Sequence, residues 1–531
     1  MGRNNTDKSL QQTKQPLAQR VKKEVQRSWP MYVMLLPAII LALIFCYAPM
    51  GGLVMAFQNY KPWLGITGSE FVGLDNFKQI FAFAEQYSKL AKALYNAALF
   101  RIRQVFTGWD KGDNRTPLEQ SVFDEIKCAK EAYGNFSCRR VLSYPSLDKI
   151  LRANKNPDFF AGLPMQTAQS IVRQAVTDFK AWLEALKAYK KDPSSFTGKP
   201  KMPGYCKADK KTFKVTNQDA ALYPTKDGKG CLLKLPKMDH NRIPLSYLKD
   251  TSNLREIVFK PYYGKYIMTF IIEDMVPPFY PDLPNMAGMD LGTDNIAAIA
   301  CTDGSSVVYK GGAILSANQF FAKQKASAVS ILTKGKKHRH ASSAFLSNLS
   351  LKHDCFLKDQ MHKLSTAIVR YCIAHRIGIL VVGTNRLWKQ HASMSKKNNQ
   401  KFVSIPHERL RWMISYKALI AGIEVIWQEE SYTSKADCTA GDLIPVYGKE
   451  RTHPVFSGRR IERGLYLCKA GYCINADCNG AANILRKAFP HAWDACKDFQ
   501  FLSTPASVGF ESLNPSSVLN RQKQRAANKK K

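Results

Sequence analysis

The sequence predicts a mixed α/β domain in the C-terminal half of the chain, preceded by a helical domain and a small β domain. Three observations support this prediction. Beyond residue 286, short apolar runs alternate with stretches of helical periodicity. Residues 85–190 carry apolar side chains at helical spacing. Residues 212–275 alternate instead and are rich in β-branched types, which is typical of strands.

The first predicted element is a transmembrane helix over residues 31–57, a stretch without any charged residue. A helix that spans a bilayer needs about 20 predominantly apolar residues, and this stretch is long enough. Arg20, Lys22, Lys23 and Arg27 precede it, which predicts a cytoplasmic N-terminus by the positive-inside rule. Such a helix would associate with the inner membrane and anchor the chain there.

A helical domain is expected over residues 81–192. Leu90, Leu94, Ala98 and Ile102 recur at the spacing that builds one buried helix face. Beyond residue 192 the helical pattern stops, so the domain is predicted to end there.

A small β domain is expected over residues 193–284. It opens with three prolines and two glycines within 192–205, a composition that indicates a loop. The runs 255–260 and 265–273 that follow are rich in β-branched residues. We expect these strands to belong to a small barrel or sheet.

The α/β domain is expected over residues 285–490, with an insertion at 436–472 and a basic, disordered tail at 491–531. The predicted elements are two strands within 286–301, helices at 316–332 and 351–376, a strand at 378–383, a helix at 409–421, a strand at 422–428 and a final helix from about Asn479. This order of strands and helices is that of an RNase H-like fold.

Three carboxylates stand at the ends of apolar, strand-like runs in this domain. Asp290 follows the run Met286–Met289, Glu430 follows Ile423–Gln428, and Asp477 precedes the final helix. Carboxylates pooled from distant strand ends are the ligands that hold paired Mg²⁺ ions for phosphodiester cleavage. These residues are therefore the candidate metal-binding and catalytic residues.

The composition agrees with a polyanionic partner. Lys and Arg number 78 against 42 Asp and Glu, a formal net charge of +36. Such an excess favours nucleic acid or an anionic membrane surface over neutral metabolites. The basic residues cluster at 199–211, 334–340, 395–401, 458–463 and 521–531. Several separate clusters suit a long channel better than a single docking patch.

Several collinear motifs resemble one known family. Within the α/β domain they are Asp290-Leu-Gly, Val381-Val-Gly-Thr-Asn-Arg-Leu-Trp-Lys-Gln, Tyr432-Thr-Ser-Lys-Ala and Asn475-Ala-Asp-Cys-Asn-Gly-Ala-Ala-Asn-Ile. With Leu94-Tyr-Asn-Ala-Ala-Leu-Phe and Gly198-Lys-Pro-Lys-Met-Pro-Gly-Tyr upstream, residues 85–490 resemble TnpB, the transposon-encoded, RNA-guided nuclease related to type V CRISPR effectors and Fanzor proteins.

The resemblance implies an RNA-guided, Mg²⁺-dependent endodeoxyribonuclease of an insertion-sequence transposon. It implies a RuvC-like (RNase H-like) nuclease domain, a helical recognition domain and a wedge barrel. Its partners would be a guide RNA from the transposon end and double-stranded target DNA, in the cytoplasm at the nucleoid. We expect contacts to these nucleic acids from the basic residues Lys334, Lys336, Lys337, Arg339, Lys389 and Lys435.

One departure from the family leaves the second acid open. Many members carry a glutamate where this chain has Thr384, and threonine cannot replace a metal-binding carboxylate. A subset of the family has a relocated glutamate beside the Tyr-Thr-Ser motif, which favours Glu430, with Glu429 in reserve and Glu408 as a weaker candidate. Adjacent strand residues face opposite sides, so only one of the pair is expected to face the metals. The alternative is a nuclease-dead, RNA-guided DNA-binding repressor.

Four cysteines lie in or near the insertion, at Cys438, Cys468, Cys473 and Cys478. Much of the family carries two Cys-x-x-Cys pairs in this region, whereas single cysteines at this spacing are poor tetrahedral zinc ligands. We therefore expect no zinc site.

Within the N-terminal segment 1–80, residues from about 20 to 78 carry motifs of a different kind. Within them, Arg27-Ser-Trp-Pro-Met-Tyr-Val-Met-Leu-Leu-Pro, Tyr47-Ala-Pro-Met-Gly-Gly-Leu-Val-Met-Ala-Phe and Phe71-Val-Gly-Leu-Asp-Asn-Phe resemble the first membrane segment of sugar-type ABC transporter permeases. No further membrane span follows, so transport is not a credible function. The segment indicates a fusion between a mobile element and a permease gene. A membrane-anchored, non-functional fusion product is thus a further alternative.

Overall fold

The computed structural model describes most of the chain between residues 64 and 514. The described residues are 54, 57–59, 64–224, 231–236, 243–245, 253–273, 275, 283–335, 342–384, 405–446 and 454–514. They fall into two compact units, Met1–Glu273 and Asp274–Lys531. The predicted helical and β domains therefore share one unit, and its boundary precedes the predicted one at residue 284.

The predicted transmembrane helix at 31–57 lies outside the described residues, except for Val54 and Phe57. Within the part of the chain that is described, no helix is both long and apolar enough to cross a bilayer.

The first unit is largely helical in its N-terminal part. Its described part begins with two short antiparallel strands, β1 Gln58–Asn59 and β2 Glu70–Phe71, which are joined through the short helix α1 Gly65–Gly68. Four longer helices follow: α2 Asp75–Gly108, α3 Pro117–Tyr133, α4 Tyr144–Ala153 and α5 Met165–Lys191. Leu94, Ala98 and Ile102 are fully buried on α2, which confirms the predicted helical spacing. A capping box starts α3: the Thr116 hydroxyl accepts from the Glu119 N–H, and the Glu119 carboxylate accepts from the Thr116 N–H.

The remainder of this unit forms two antiparallel sheets of three strands each. The strands are β3 Phe213–Thr216, β4 Ala221–Pro224, β5 Cys231–Lys234, β6 Ile243–Leu245, β7 Leu254–Tyr262 and β8 Lys265–Ile272. Their orders are β3-β7-β8 and β4-β5-β6. The described strands therefore form two sheets, and the small barrel stays a prediction.

The second unit is built on one six-stranded sheet. Its strands and helices are β9 Asn285–Asp290, β10 Asn295–Cys301, β11 Ser306–Lys310, α6 Gly312–Thr333, α7 Ala344–Ala374, β12 Ile377–Thr384, α8 His407–Ile420, β13 Glu424–Glu429, α9 Ala476–Ala488, β17 Ala506–Val508 and α10 Phe510–Leu513. The strand order is β13-β12-β9-β10-β11-β17. Strands β9, β10 and β11 are antiparallel neighbours, whereas β12 runs parallel to β9 and β13 parallel to β12. Between β13 and α9 lies a separate small sheet of β14 Arg459–Glu462, β15 Leu465–Leu467 and β16 Cys473–Asn475.

The sheet is covered on both faces. Ile299 of β10 packs into the core that includes α6, α7 and α8, whereas its neighbours Ala298 and Ala300 pack into the core that includes α9. This alternation is the two-residue period of a strand. The mixed α/β architecture predicted from the sequence is confirmed, and each predicted helix and strand of this unit is present with small shifts in its ends.

Two strands of the six-stranded sheet, β11 and β17, were not expected. Strand β11 follows a turn in which Gly304 has a φ of +84°, a conformation that glycine adopts without steric cost. Strand β17 lies in the predicted disordered tail and pairs in parallel with β11. Residues 491–514 of the predicted disordered tail are instead folded against the unit, with Trp493 and Leu502 buried in the core beside α9.

Candidate active site

Asp290 closes strand β9 and lies on the face of the sheet that α9 covers. Met289 packs into the core on the other face, whereas the Cβ position of Gly288 is directed at α9. Because side chains two residues apart in a strand share a face, Asp290 also points toward α9. Burial, together with the nearby carboxylates of Glu430 and Asp477, raises the pKa of Asp290 to about 8. The charges of Glu430 and Asp477 thus both act on Asp290 and favour its protonated form.

Glu430 follows β13, at the carboxyl end of two parallel strands. The register pairs Thr384 with Glu429, and the Glu430 N–H donates to the Thr384 carbonyl at 3.3 Å. The carboxylate of Glu430 lies over Gly383: a Cβ added there would come within 2.6 Å of its Oε2. Burial raises the pKa of Glu430, and the positive charge of Arg411 acts in the opposite direction.

Glu429 has different partners from Glu430. Its carboxylate accepts from the Lys487 ammonium at 2.6 Å and from the Ser431 N–H at 2.8 Å. Burial opposes ionisation, but these hydrogen bonds outweigh it and lower the pKa of Glu429. Glu429 is therefore occupied by an ion pair, whereas the carboxylate of Glu430 lies over Gly383 and its charge acts on Asp290.

Asp477 lies in the first turn of α9, which Asn475 caps by accepting from the N–H groups of Asp477 and Cys478. Its Oδ2 accepts from the Asn295 side-chain amide at 2.7 Å, and its Oδ1 lies 3.5 Å from Arg460 Nη2. These two contacts hold the carboxylate at the rim of the site.

Glycines allow the close packing that brings the acids together. A Cβ at Gly288 would collide with the carbonyl oxygen of Ala481 and lie 3.0 Å from Leu485 Cβ. At Gly480, a Cβ would lie 3.1 Å from Asp290 Oδ2. Small residues therefore let the backbone of α9 pack directly against the backbone of β9, as the small-residue composition around Asp477 indicated.

Arg411 is a further residue of the site that sequence reasoning missed. It is buried on α8, and it donates to the Gly383 carbonyl at 3.1 Å and to Glu408 Oε1 at 2.6 Å. Glu408, the weaker candidate for the second acid, is thus paired with Arg411 and is largely exposed. Asn295 was missed in the same way, because nothing in its sequence neighbourhood marks it. Arg460 lies in the basic cluster 458–463, but nothing in the sequence places it beside Asp477.

The donor set of the site suits a hard divalent cation. All three acids offer carboxylate oxygens, which Mg²⁺ prefers, and a cation would relieve the repulsion that raises the pKa of Asp290. As the side chains stand, no three His, Cys, Asp or Glu residues of the described segments converge closely enough to enclose an ion.

The predicted nucleic-acid-binding residues are only partly described. Lys334 is exposed at the end of α6, and Lys435 is exposed in the loop after β13. The remaining four lie outside the described residues: Lys336, Lys337, Arg339 and Lys389.

The loop between β13 and the small sheet is held by two aspartates rather than by its cysteines. Asp437 accepts from the N–H groups of Thr439 and Lys469 at 2.9 and 2.7 Å. Asp442 accepts from the N–H groups of Asp437 and Ser457, both at 2.9 Å. These contacts join the loop to the small sheet, and sequence reasoning missed both aspartates.

The four cysteines of this region are all free thiols. Cys438, Cys468 and Cys478 are buried, and burial raises the pKa of Cys468 to about 11. The expected absence of zinc stays a prediction.

Two family models match the second unit. The model named OrfB_IS605, described as “Probable transposase”, matches residues 276–389. The model described as “Cas12f1-like, TNB domain” matches residues 407–484. The three predicted acids fall in these two segments, with Asp290 in the first and the other two in the second.

Curated relatives match in separate portions. Over 207 residues, 38% of this chain, it is 25% identical to “TnpB-like protein ORF457” of Acidianus two-tailed virus, covering 42% of that protein. Over 59 residues, 11% of this chain, it is 51% identical to the “Polygalacturonan/rhamnogalacturonan transport system permease protein YteP” of Bacillus subtilis (strain 168), covering 18% of that protein. Over 69 residues it is 41% identical to “Protein LplB” of the same organism, covering 22% of it. Each match spans less than half of the relative's length.

Among solved structures, the chain is similar to that titled “Cryo-EM structure of the Cas12f1-sgRNA-target DNA complex”. The alignment covers 76% of this chain and 82% of the other, at 15% identity and a TM-score of 0.44. A second structure, “Cryo-EM structure of CRISPR-Cas12f Ternary Complex”, aligns over 77% of this chain and 81% of the other, at 16% identity and a TM-score of 0.27.

Proposed function

We propose, from the premise that this chain belongs to the TnpB family, that it is an RNA-guided endonuclease of an IS605-type transposon that cuts DNA. The observation that supports the proposal is the placement of the three acids: Asp290 ends β9 beside Gly480 of α9, Glu430 lies over Gly383 at the end of β12, and Asp477 lies in the first turn of α9. Three carboxylates at neighbouring strand and helix ends, in a strongly cationic chain, suit cleavage of a polyanion once a metal ion draws them together.

We assign Asp290, Glu430 and Asp477 as the residues that hold Mg²⁺ in a RuvC-like, two-metal site. When bound, the metal ions supply an activated water and stabilise the leaving oxygen of the phosphodiester. The chain itself holds two of the carboxylates: the Asn295 amide donates to Asp477, and the charge of Arg411 on α8 favours the ionised form of Glu430.

The neighbouring groups support Glu430 over Glu429 as the second acid. Lys487 neutralises Glu429, and a carboxylate already in a short ion pair is a poor ligand for a further cation. Glu430 instead occupies the space that Gly383 leaves open, beside the position where Thr384 replaces the usual glutamate. The relocated acid thus keeps the site at the same strand end.

Arg460 supplies positive charge where a substrate phosphate would approach. Its guanidinium lies beside Asp477 and lowers the pKa of Asp290 by its charge. A guanidinium is suited to phosphate because its planar N–H groups match phosphate oxygens. We assign Arg460 to the scissile phosphate, and we assign Lys334, Lys336, Lys337, Arg339, Lys389 and Lys435 to the guide RNA and target duplex.

Plasmid cleavage tests this proposal. The full chain is co-expressed with RNA from the transposon end and supplied with Mg²⁺ and a library of target plasmids. We expect guide-dependent double-strand cleavage that disappears in Asp290→Ala, while that variant still binds the target. Binding without cleavage in the wild-type protein would refute the nuclease and support the repressor, which the threonine at position 384 favours.

A further inference from the structure

An extended basic segment of the first unit lies along helix α2; we call this segment, residues 198–211, the strap. At its C-terminal end the Lys211 N–H donates to the Ser88 carbonyl at 3.0 Å. Midway, the Cys206 N–H donates to Asn96 Oδ1 at 2.8 Å, and the Asn96 amide donates back to the Cys206 carbonyl at 3.3 Å. The strap therefore runs antiparallel to α2.

Two further hydrogen bonds fix the N-terminal end of the strap. Arg103 of α2 donates to the Pro203 carbonyl at 3.3 Å, and Trp182 of α5 donates to the Pro200 carbonyl at 3.1 Å. The outer contacts on α2 are at Ser88 and Arg103, which lie about 22 Å apart along the helix axis at a rise of 1.5 Å per residue. Their partners in the strap, Lys211 and Pro203, would be about 26 Å apart in a fully extended chain. The backbone of the strap is therefore close to full extension.

The side chains of the strap alternate between the helices and solvent. Met202 and Cys206 pack against the core of the unit, whereas Lys201, Tyr205 and Lys207 are exposed. In an extended chain, side chains two residues apart on the same side are about 6.6 Å apart. The strap thus presents a row of outward side chains on a fixed backbone.

Tyr205 forms an aromatic platform in this row. The guanidinium of Arg103 lies 4.9 Å from the centre of its ring, and the Tyr205 side chain remains 41% exposed. A guanidinium on one side of the ring holds it in place, and an exposed aromatic surface is a stacking site for a base.

Two of the five lysines in the strap have a partner among the described residues of the first unit, and three do not. The strap carries a single acidic residue, Asp209. Lys210 pairs with Glu85 at 3.4 Å, and the Lys211 ammonium lies 3.6 Å from the centre of the Tyr95 ring. Within the described segments the other three lysines make no hydrogen bond or ion pair: Lys199, Lys201 and Lys207. All three are exposed, so they are available to a polyanion.

We propose that the strap binds a single strand of nucleic acid, with Lys199, Lys201 and Lys207 on its phosphates and one base stacked on Tyr205. A duplex keeps its bases stacked inside, so an exposed tyrosine selects a single strand. Because hydrogen bonds already hold the strap extended, binding orders only side chains. The inference rests on the proposed function, in that the chain is taken to act on nucleic acid.

Equilibrium binding of the full chain to a labelled single-stranded RNA, the matching single-stranded DNA and the matching duplex tests the strap. In the variant Lys199→Gln/Lys201→Gln/Lys207→Gln we expect the slope of log K against log salt for the single strand to fall by about 2, at about 0.7 per phosphate contact. Lys127→Gln/Lys130→Gln/Lys155→Gln, which changes three exposed lysines of the same unit, is the matched control and should keep the wild-type slope.

Tyr205 is tested by two substitutions. Tyr205→Leu should weaken binding of the single strand about tenfold without changing the salt slope, because stacking on one base is lost. Tyr205→Phe keeps the aromatic surface and should bind like the wild type. A larger loss with RNA than with DNA identifies RNA as the strand bound, and the converse identifies DNA.

The inference is overturned if the strap variant loses no more affinity than its control, or if Tyr205→Leu binds the single strand normally. Equal losses for duplex and single strand, without an effect at Tyr205, would likewise overturn it. Guided cleavage by the same wild-type preparation separates this result from the proposed function. A chain that cuts but shows no strap effect refutes the inference alone, and one that binds through the strap but never cuts refutes the nuclease alone.

Discussion

Gly383 sets the space in which the second acid lies, so Gly383→Ala is a sharp perturbation of the proposed site. The added Cβ would lie 2.6 Å from Glu430 Oε2 and 2.7 Å from Ile484 Cδ1. Ordinary van der Waals contact begins at 3.4 Å, so the carboxylate must withdraw by 0.8 Å or more. A displacement of about 1 Å in a catalytic group costs on the order of 10²-fold in rate.

The assay is guided plasmid cleavage at saturating target, with target binding and Tm measured on the same protein. We expect cleavage by Gly383→Ala to fall about 10²-fold while target binding persists. Overpacking of this kind costs about 1–3 kcal/mol of stability, so a modest fall in Tm is also expected. Gly312→Ala is the matched control, because a Cβ there meets nothing within 4 Å. Cleavage at the wild-type rate in Gly383→Ala would refute the assignment of Glu430.

Three further predictions follow from the packing and electrostatics of the site. Gly288→Ala should destabilise the chain by about 3 kcal/mol, seen as a lower Tm, because its Cβ meets the backbone of α9; an unchanged Tm would contradict the close approach. Asn295→Ala should raise the Mg²⁺ concentration for half-maximal cleavage about 10- to 100-fold, since Asp477 loses its orienting amide; an unchanged requirement would exclude that role. For Asp290, a folded-state pKa of about 8 lies above the usual value of 3.8, so the metal-free folded state binds the proton more tightly than the unfolded state. Its contribution to stability is present below pH 4 and is lost as pH rises to about 8; Tm measured in chelator should therefore fall less over this range in Asp290→Asn than in the wild type.

The sequence was most informative where a local pattern indicates one kind of secondary structure. The spacing of Leu94, Ala98 and Ile102 places all three on one face of a helix, and that face is buried. The apolar run that ends at Gly383 has the length of one buried strand. These elements depend on local periodicity, so they were predictable without knowledge of their neighbours.

Features that depend on distant contacts were not predictable in the same way. Strand β17 is only three residues long and is stabilised by pairing with β11, so its own sequence carries little signal. Strand β11 did carry a signal, since Asp303-Gly304 is a typical hairpin turn and is followed by β-branched residues. The division of the described strands of the first unit into two sheets was not predictable either, because alternation predicts strands but not which strands pair.

The same distinction between local patterns and distant contacts applies to the residues of the candidate site. The three acids could be found from the sequence because each ends or follows an apolar run and stands in a family motif. Arg411, Asn295 and the Lys487 ion pair of Glu429 could not be found, because each reaches the site from an element far away in sequence.

Comparison of two adjacent substitutions tests the central claim most directly. Guided cleavage is measured for Glu430→Gln and Glu429→Gln with the same guide, target and Mg²⁺ concentration. We expect Glu430→Gln to abolish cleavage while it still binds the target. Glu429→Gln should retain cleavage and lose about 1 kcal/mol of stability, because the buried Lys487 ammonium loses its ion pair. Cleavage by Glu430→Gln at the wild-type rate, or its loss in Glu429→Gln alone, would contradict the proposed site.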